Sequence, residues 1–135
     1  MVPLDGSKNS IQGLEMAISI AMQFGATITG TYSISAQPHS EFQGVDSIKK
    51  DFGKEIKKTM GKAKVLSTQN DIEIKEKIMR GDTRYNIIKL AHDKKEKYDM
   101  IVIGSRGRGV VRELFLGNVS NYVIHSSKIP VRIVK

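Results

Sequence analysis

The stretch Met100-Ile-Val-Ile-Gly-Ser-Arg-Gly107 decides the fold, because a purely apolar run ends directly in two closely spaced glycines. After nine more residues, Gly117-Asn-Val-Ser120 opens an amphipathic stretch that continues to Ser127. A buried strand that enters a glycine-rich loop, with another glycine at a helix start, is how α/β proteins present backbone N–H groups to phosphate. These two segments carry most of the functional information in the chain.

Strand-like and helix-like segments alternate along the rest of the sequence. Ser7 or Ser10 is predicted to cap the first helix and Gly25 to end it, while Gly81-Asp82-Thr83 is predicted to begin the third helix. The predicted order begins with the end of a strand that breaks into a turn over 2–7. It continues with a helix at 11–21, a strand at 26–34, a loop at 37–44, a helix at 48–63, a strand at 72–78, a helix through 87–91, a strand at 100–103, a helix at 119–127 and a strand at 130–134.

This alternation predicts an α/β fold in which helices cover both faces of a parallel sheet, built as one domain over residues 1–135. Ligands bind such sheets at the carboxyl ends of the strands. The turn at Asp5 and the turn at Gly104 both follow strands, so we expect them to form two walls of one crevice. Only Met1 and Val2 precede Pro3, where this architecture has four or five apolar residues, so we expect either a truncated start or a very short first strand.

Composition excludes several classes of protein. The 135 residues include no cysteine, which excludes disulfides, thiolate metal sites and cysteine nucleophiles. No apolar run is long enough to span a membrane and no secretory pattern begins the chain, so we expect a cytoplasmic protein without a membrane partner. The net charge is +8, with many lysines at 49–64. Their helical spacing, without interleaved aromatic residues, favours a solvated face over a nucleic-acid site.

Few residues in the sequence are suited to catalysis. The glycines lack the third member of a dinucleotide fingerprint and the Gly-Lys-Ser/Thr ending of a Walker loop. His39, His92 and His125 have no metal-ligand spacing, and no nucleophile–base pair is visible, so we assign no catalytic and no metal-binding residue. Whether the protein is an enzyme stays open, and the most we expect is slow hydrolysis of ATP, with Mg²⁺ carried by the nucleotide.

The ordered set of motifs resembles the universal stress protein family, and in particular its nucleotide-binding branch. Gly104, Gly107 and Gly117 match that branch's Gly-x2-Gly-x9-Gly spacing. The resemblance extends over the segments at 2–7, 81–82, 99–105 and 129–134, and so over essentially the whole chain. It implies a five-stranded parallel sheet in the order 3-2-1-4-5, ATP or AMP in the crevice, and a homodimer formed through the strand at 131–134.

The resemblance also implies a set of binding residues. The start of the chain would line the adenosine end, and Ser33, at the end of strand 2, would offer its backbone to adenine. The glycine loop would wrap the ribose and phosphates, and the start of the last helix would hold the phosphates. The implied residues are Pro3, Leu4, Asp5, Ser33, Gly104, Arg106, Gly107, Gly117, Asn118, Val119 and Ser120. Asn118 departs from the family's Ser or Thr, which bears on a preference for triphosphates.

Other interpretations stay open on the sequence alone. Asp5 is equally suited to capping helix 1 and to binding ribose, and Asn118 to capping the last helix and to contacting an oxygen. Arg108 and Arg112 are predicted to be solvated or to face an unknown protein partner. The leading hypothesis is a dimeric, nucleotide-binding regulatory or stress-response protein. The alternatives are a nucleotide-independent interaction module of the same family and a nucleic-acid binder.

Overall fold

The computed structural model describes residues 1–35, 45–109 and 115–135, so the loop predicted at 37–44 and the predicted position of Arg112 lie outside it. Strands and helices alternate along the described residues, as predicted. The elements are β1 (Val2–Pro3), α1 (Lys8–Phe24), β2 (Ile28–Ile34), α2 (Val45–Thr68), β3 (Ile74–Arg80), α3 (Thr83–Ala91), β4 (Ile101–Gly104), α4 (Asn118–Ser126) and β5 (Val131–Val134).

The predicted helix ends are confirmed. Gly25 follows α1 with a φ of 61°, a left-handed conformation that glycine adopts without steric cost. Of the two serines proposed as the cap of α1, the structure selects Ser7, whose hydroxyl accepts a hydrogen bond from the Ser10 N–H. Asp82 caps α3 by accepting a hydrogen bond from the Tyr85 N–H.

The strands form two parallel sheets rather than one. β1, β2 and β3 are hydrogen-bonded in that order, and β4 pairs with β5. The predicted single sheet in the order 3-2-1-4-5 is therefore wrong. Next to β4, Met1 makes two hydrogen bonds: its carbonyl accepts from the Val102 N–H (3.0 Å) and its amino group donates to the Met100 carbonyl (2.7 Å). Pro3 has no backbone N–H with which to continue this pairing along β1.

Two apolar cores lie on opposite faces of these strands. α1 and α2 cover one core, which includes Leu14, Ile56 and Val102. α3 and α4 cover the other, which includes Ile87, Ile101, Ile103 and Val123. Successive residues of a strand point to opposite faces, so β4 sends Ile101 and Ile103 towards α3 and α4, and Val102 towards α1.

Gly104 continues this alternation and therefore faces α1. A β-carbon at Gly104 would lie 2.5 Å from the carbonyl oxygen of Asn9, closer than real side chains approach backbone. On the helix side, a β-carbon at Gly13 would lie 3.2 Å from the Gly104 nitrogen. The first turns of α1 therefore pack directly against the end of β4, and this contact fixes where the following loop begins.

We predict that Gly104→Ala lowers the free energy of unfolding by about 1–3 kcal/mol, because the added methyl group forces backbone apart in a packed region. Gly61→Ala is the matched control, since a β-carbon at Gly61 in α2 meets nothing within 4 Å. We expect the control to raise stability by roughly 0.5–1 kcal/mol through helix propensity. Urea denaturation followed by circular dichroism measures both values. Equal effects of the two substitutions would contradict the contact.

Candidate functional site

A cavity of about 270 Å³ opens at the carboxyl ends of β1 and β4, where the sequence predicts a crevice. Its walls are the turn after β1, the loop after β4 and the first turns of α3 and α4. Ten of the eleven sequence-predicted residues line it: Pro3, Leu4, Asp5, Gly104, Arg106, Gly107, Gly117, Asn118, Val119 and Ser120.

Ser33 is the one predicted residue that the structure does not bring into the cavity. It lies in β2 opposite Met79 of β3, and its hydroxyl is 3.4 Å from the side-chain amide of Asn86 in α3. Its neighbour Tyr32 points the other way, into the core beneath α1 and α2. The cavity is bounded by β1 and β4, and the backbone contact expected at Ser33 stays a prediction.

The cavity has walls that the sequence did not indicate. α3 contributes Thr83 and Ile87, β4 contributes Ile103, and the loop after β4 contributes Arg108 and Gly109. Thr83 and Ile87 match ordinary capping and core positions of a helix, so no sequence signal separates them from structural residues. Ser10, which the sequence predicts as a possible cap of α1, is a further lining residue.

The start of α4 differs from the starts of α1 and α3. Its N-cap is Gly117, which has no side chain and makes no side-chain capping bond. Asn118 is the first helical residue rather than the cap, which removes one of its two proposed roles. Among the described residues, none accepts a hydrogen bond from the backbone N–H of Asn118, Val119 or Ser120. These N–H groups carry the partial positive charge of the helix end and lie at the cavity wall.

The hydroxyl of Ser120 is already engaged inside the protein. It donates to the carbonyl of Ser105 (2.7 Å) and lies 3.0 Å from that of Gly117. A hydroxyl has a single proton to donate, so Ser120 offers a ligand its backbone N–H and the lone pairs of its oxygen. Its side chain instead stabilises the start of α4 against the loop after β4.

Gly107 and Gly117 are both sites of close approach. A β-carbon on Gly107 would lie 2.6 Å from Oδ2 of Asp5, and one on Gly117 would lie 3.3 Å from the α-carbon of Arg106. Neither glycine is among the described residues with positive φ. Both positions need glycine because a neighbouring atom occupies the space of a side chain. The absence of a side chain lets the loop and the start of α4 pack closely at the cavity wall.

Asp5 does not cap α1, which resolves one question that the sequence left open. Its Oδ1 accepts a hydrogen bond from the Ser7 N–H (2.9 Å) and closes the turn after β1. Its Oδ2 lies beside Gly107 at the cavity wall. The carboxylate is therefore held in place on one side and faces the cavity on the other, where it is suited to accept hydrogen bonds from hydroxyl or amino groups.

Arg108 is not simply solvated, as the sequence suggested. Its guanidinium pairs with Glu55 of α2 and donates to the Tyr32 hydroxyl (3.3 Å). Burial, partly opposed by the Arg108 charge, raises the pKa of Tyr32, so the phenol is neutral at pH 7. The loop side of the cavity thus carries Arg106 and Arg108, and the β1 side carries Asp5.

A larger cavity of about 620 Å³ lies at the opposite ends of the strands. Its lining includes the apolar side chains of Ile28 in β2, Val102 in β4 and Phe24 in α1, together with the charged residues Lys75, Glu96, Lys97 and Asp99. It has neither glycine loop nor helix start in its walls. By volume alone the larger cavity would be the candidate ligand site. The glycine loop and the helix start, which suit an anion, are found at the smaller cavity.

Two further kinds of feature are absent from the described part of the chain. No three His, Asp or Glu side chains come together there in a way that would hold a metal ion. None of its helices combines the length and the apolar character needed to cross a membrane.

An α/β fold with a glycine-lined cavity at its strand ends defines the class, and comparison with known proteins gives the family. The family model "Universal stress protein family" matches residues 1–135. The chain belongs to the universal stress protein family.

Relatives and solved structures agree with this assignment. Universal stress protein MJ0531 of Methanocaldococcus jannaschii is 28% identical over 141 residues, which cover 100% of this chain and 80% of that protein. The solved structure of MJ0577, from the same organism, is 25% identical, with a TM-score of 0.86 over 99% of this chain and 92% of the other.

Some solved structures of similar fold contain a nucleotide. A universal stress protein from Archaeoglobus fulgidus was solved in complex with dAMP; it is 21% identical, with a TM-score of 0.71 over 98% of this chain and 94% of the other. A family member from Arabidopsis thaliana was solved with AMP bound (17% identical, TM-score 0.68, 100% and 89% covered). A further universal stress protein was solved in complex with cAMP (23% identical, TM-score 0.69, 99% and 93% covered). At these identities the likeness shows the fold.

Proposed function

We propose that this universal stress protein binds an adenine nucleotide, ATP or AMP, in the cavity at the ends of β1 and β4, and acts as a dimeric regulatory module. The observation that carries the proposal is the start of α4, which lines the cavity and has no side-chain cap among the described residues. In α1 and α3, by contrast, Ser7 and Asp82 each accept a hydrogen bond from one N–H of the first turn. An anion such as phosphate satisfies N–H groups in this arrangement.

The rest of the cavity suits a nucleoside monophosphate. Arg106, in the loop, adds a positive charge beside the start of α4, where a phosphate would sit. Asp5 stands at the other side, where a ribose hydroxyl would find an acceptor. Pro3, Leu4 and Ile87 supply the apolar surface that a base requires. In this proposal the backbone N–H groups hold the phosphate, and the turn after β1 holds the nucleoside.

Support also comes from the neighbours of similar fold. The proteins solved with dAMP, AMP and cAMP share an adenine nucleotide with a single phosphate. Asn118 replaces the hydroxyl residue of the family pattern, and its bulkier amide leaves less room for a chain of phosphates. We therefore expect AMP to bind at least as tightly as ATP. Any Mg²⁺ would arrive with the nucleotide, since Asp5 is the one carboxylate among the lining residues.

Titration calorimetry with AMP, ATP and cAMP tests this function, and Gly107→Ala with Gly61→Ala as control tests its location. A β-carbon at Gly107 meets the Asp5 carboxylate, whereas one at Gly61, which does not line the cavity, meets nothing within 4 Å. We expect Gly107→Ala to weaken AMP binding about tenfold, equivalent to about 1.4 kcal/mol, because Asp5 must leave its position. Gly61→Ala should change the affinity less than about twofold.

The alternative function is a nucleotide-independent interaction module. The packing explanations for Gly104 and Gly117 favour it, because both glycines are needed for the fold whether or not a ligand binds. No heat with any of the three nucleotides at millimolar concentration would select this alternative. If Gly107→Ala and the control bind AMP with equal affinity, the protein binds nucleotide but not at this cavity.

We also propose that the dimer forms through β5. The carbonyls of Pro130 and Val134 accept hydrogen bonds from the N–H groups of Ile101 in β4 and of Ser105 directly after it. Because backbone groups alternate in direction along a strand, those of Val131 and Ile133 face the other edge of β5, where a second strand would satisfy them. Light scattering at micromolar concentration should give the mass of two chains. The mass of a single chain would contradict the dimer.

A further inference from the structure

Arg108 connects the cavity to two elements that do not line it. It follows β4 in the loop that forms one cavity wall. Its guanidinium pairs with Glu55 in the middle of α2 and donates to the hydroxyl of Tyr32 in β2. Neither Glu55 nor Tyr32 is among the residues that line the cavity. The side chain of Arg108 therefore crosses from the ligand side of the loop to the opposite helical layer.

The two partners of Arg108 differ in how firmly they are held. Tyr32 is 5% exposed, and its ring is packed in the core beneath α1 and α2, so its hydroxyl is a fixed point. The Arg108 and Glu55 side chains are 44% and 41% exposed, so water screens their attraction. The planar guanidinium presents several N–H donors at once, which lets one side chain bind both partners and remain at the cavity wall.

Arg108 also lies against the turn after β1. A β-carbon added to Gly6 would lie 3.0 Å from a terminal nitrogen of Arg108. Gly6 has a φ of 81° and adjoins Asp5, whose carboxylate faces the cavity. The guanidinium is therefore packed between the loop, the turn and α2. A shift of the loop would separate it from at least one of these neighbours.

We propose that Arg108 is a positioning residue: held by Glu55 and Tyr32, it keeps the loop at Arg106–Gly109 in the arrangement that binds the ligand. The inference on affinity rests on the proposed nucleotide function, whereas the inference on loop order does not. In this view Glu55 contributes to nucleotide affinity from outside the cavity. A state of α2 that withdraws Glu55 would weaken binding, and a bound nucleotide would stabilise the contact of the loop with α2.

The experiment compares Glu55→Gln, Arg108→Gln and the double variant with the wild-type protein. Glu96→Gln is the matched control, because Glu96 forms an ion pair of similar exposure with Lys77, on residues that do not line this cavity. Two quantities are measured on each protein: amide hydrogen exchange at Arg106–Gly109 without ligand, followed by NMR, and the dissociation constant for AMP. Thermal unfolding is recorded for all variants.

We expect Glu55→Gln to speed exchange at the loop and to weaken AMP binding, each about threefold to fivefold, the range of an exposed ion pair. Arg108→Gln should have a larger effect, because it also removes the bond to Tyr32. The double variant should match Arg108→Gln alone, since both changes break one contact. The control should leave both quantities unchanged, with a melting temperature similar to that of Glu55→Gln.

Each other outcome has a definite meaning. Loop exchange in Glu55→Gln equal to that of the control would overturn the proposal, because the pair would then not hold the loop. Faster exchange with unchanged AMP affinity would overturn the role in binding. If the wild-type protein binds no AMP, the proposed nucleotide function fails, and the exchange rates alone decide whether Arg108 orders the loop.

Discussion

Hydrogen bonds to the backbone and hydroxyl of Ser105 hold the elements of the site together. Its N–H donates to the Val134 carbonyl of β5 (2.7 Å). Its carbonyl accepts from the N–H of Gly117 (2.8 Å) and from the hydroxyl of Ser120 (2.7 Å). Its own hydroxyl accepts from the side-chain amide of Asn9 in α1 (2.9 Å). A buried residue with every polar group paired ties α1, β5 and α4 to the end of β4.

This arrangement explains why the start of α4 is available to a ligand. The N–H of Gly117 and the hydroxyl of Ser120 both donate to the Ser105 carbonyl, and these two bonds anchor the helix. The remaining N–H groups of the first turn need no part in that anchoring. Because the close contact of Gly104 with α1 fixes the end of β4, the loop and the helix start are brought to one cavity. At the start of α4, therefore, the groups that anchor the helix differ from the N–H groups that remain for a ligand.

Much of the fold could be predicted from the sequence because the signals are local. Apolar periodicity located the described helices and strands, and Gly25 and Asp82 marked helix ends through their own chemistry. The prediction of a single sheet was wrong: Met1 bonds to Met100 and Val102, but the next residues include Pro3, which has no N–H to continue the pairing with β4. The role of Ser105 could not be predicted, because nothing in the sequence distinguishes it from other serines that follow a strand. The contacts of Arg108 could not be predicted because its partners Glu55 and Tyr32 lie 53 and 76 positions away in the chain.

Binding of a nucleotide phosphate by the backbone N–H groups around the cavity can be followed in an NMR titration of the ¹⁵N-labelled protein with AMP, because each amide reports separately. If these N–H groups bind the phosphate, the largest shifts will occur at Gly107 and at Asn118, Val119 and Ser120. Shifts confined to residues such as Lys75 and Tyr98, at the cavity on the opposite strand ends, or no shifts at millimolar AMP, would contradict it.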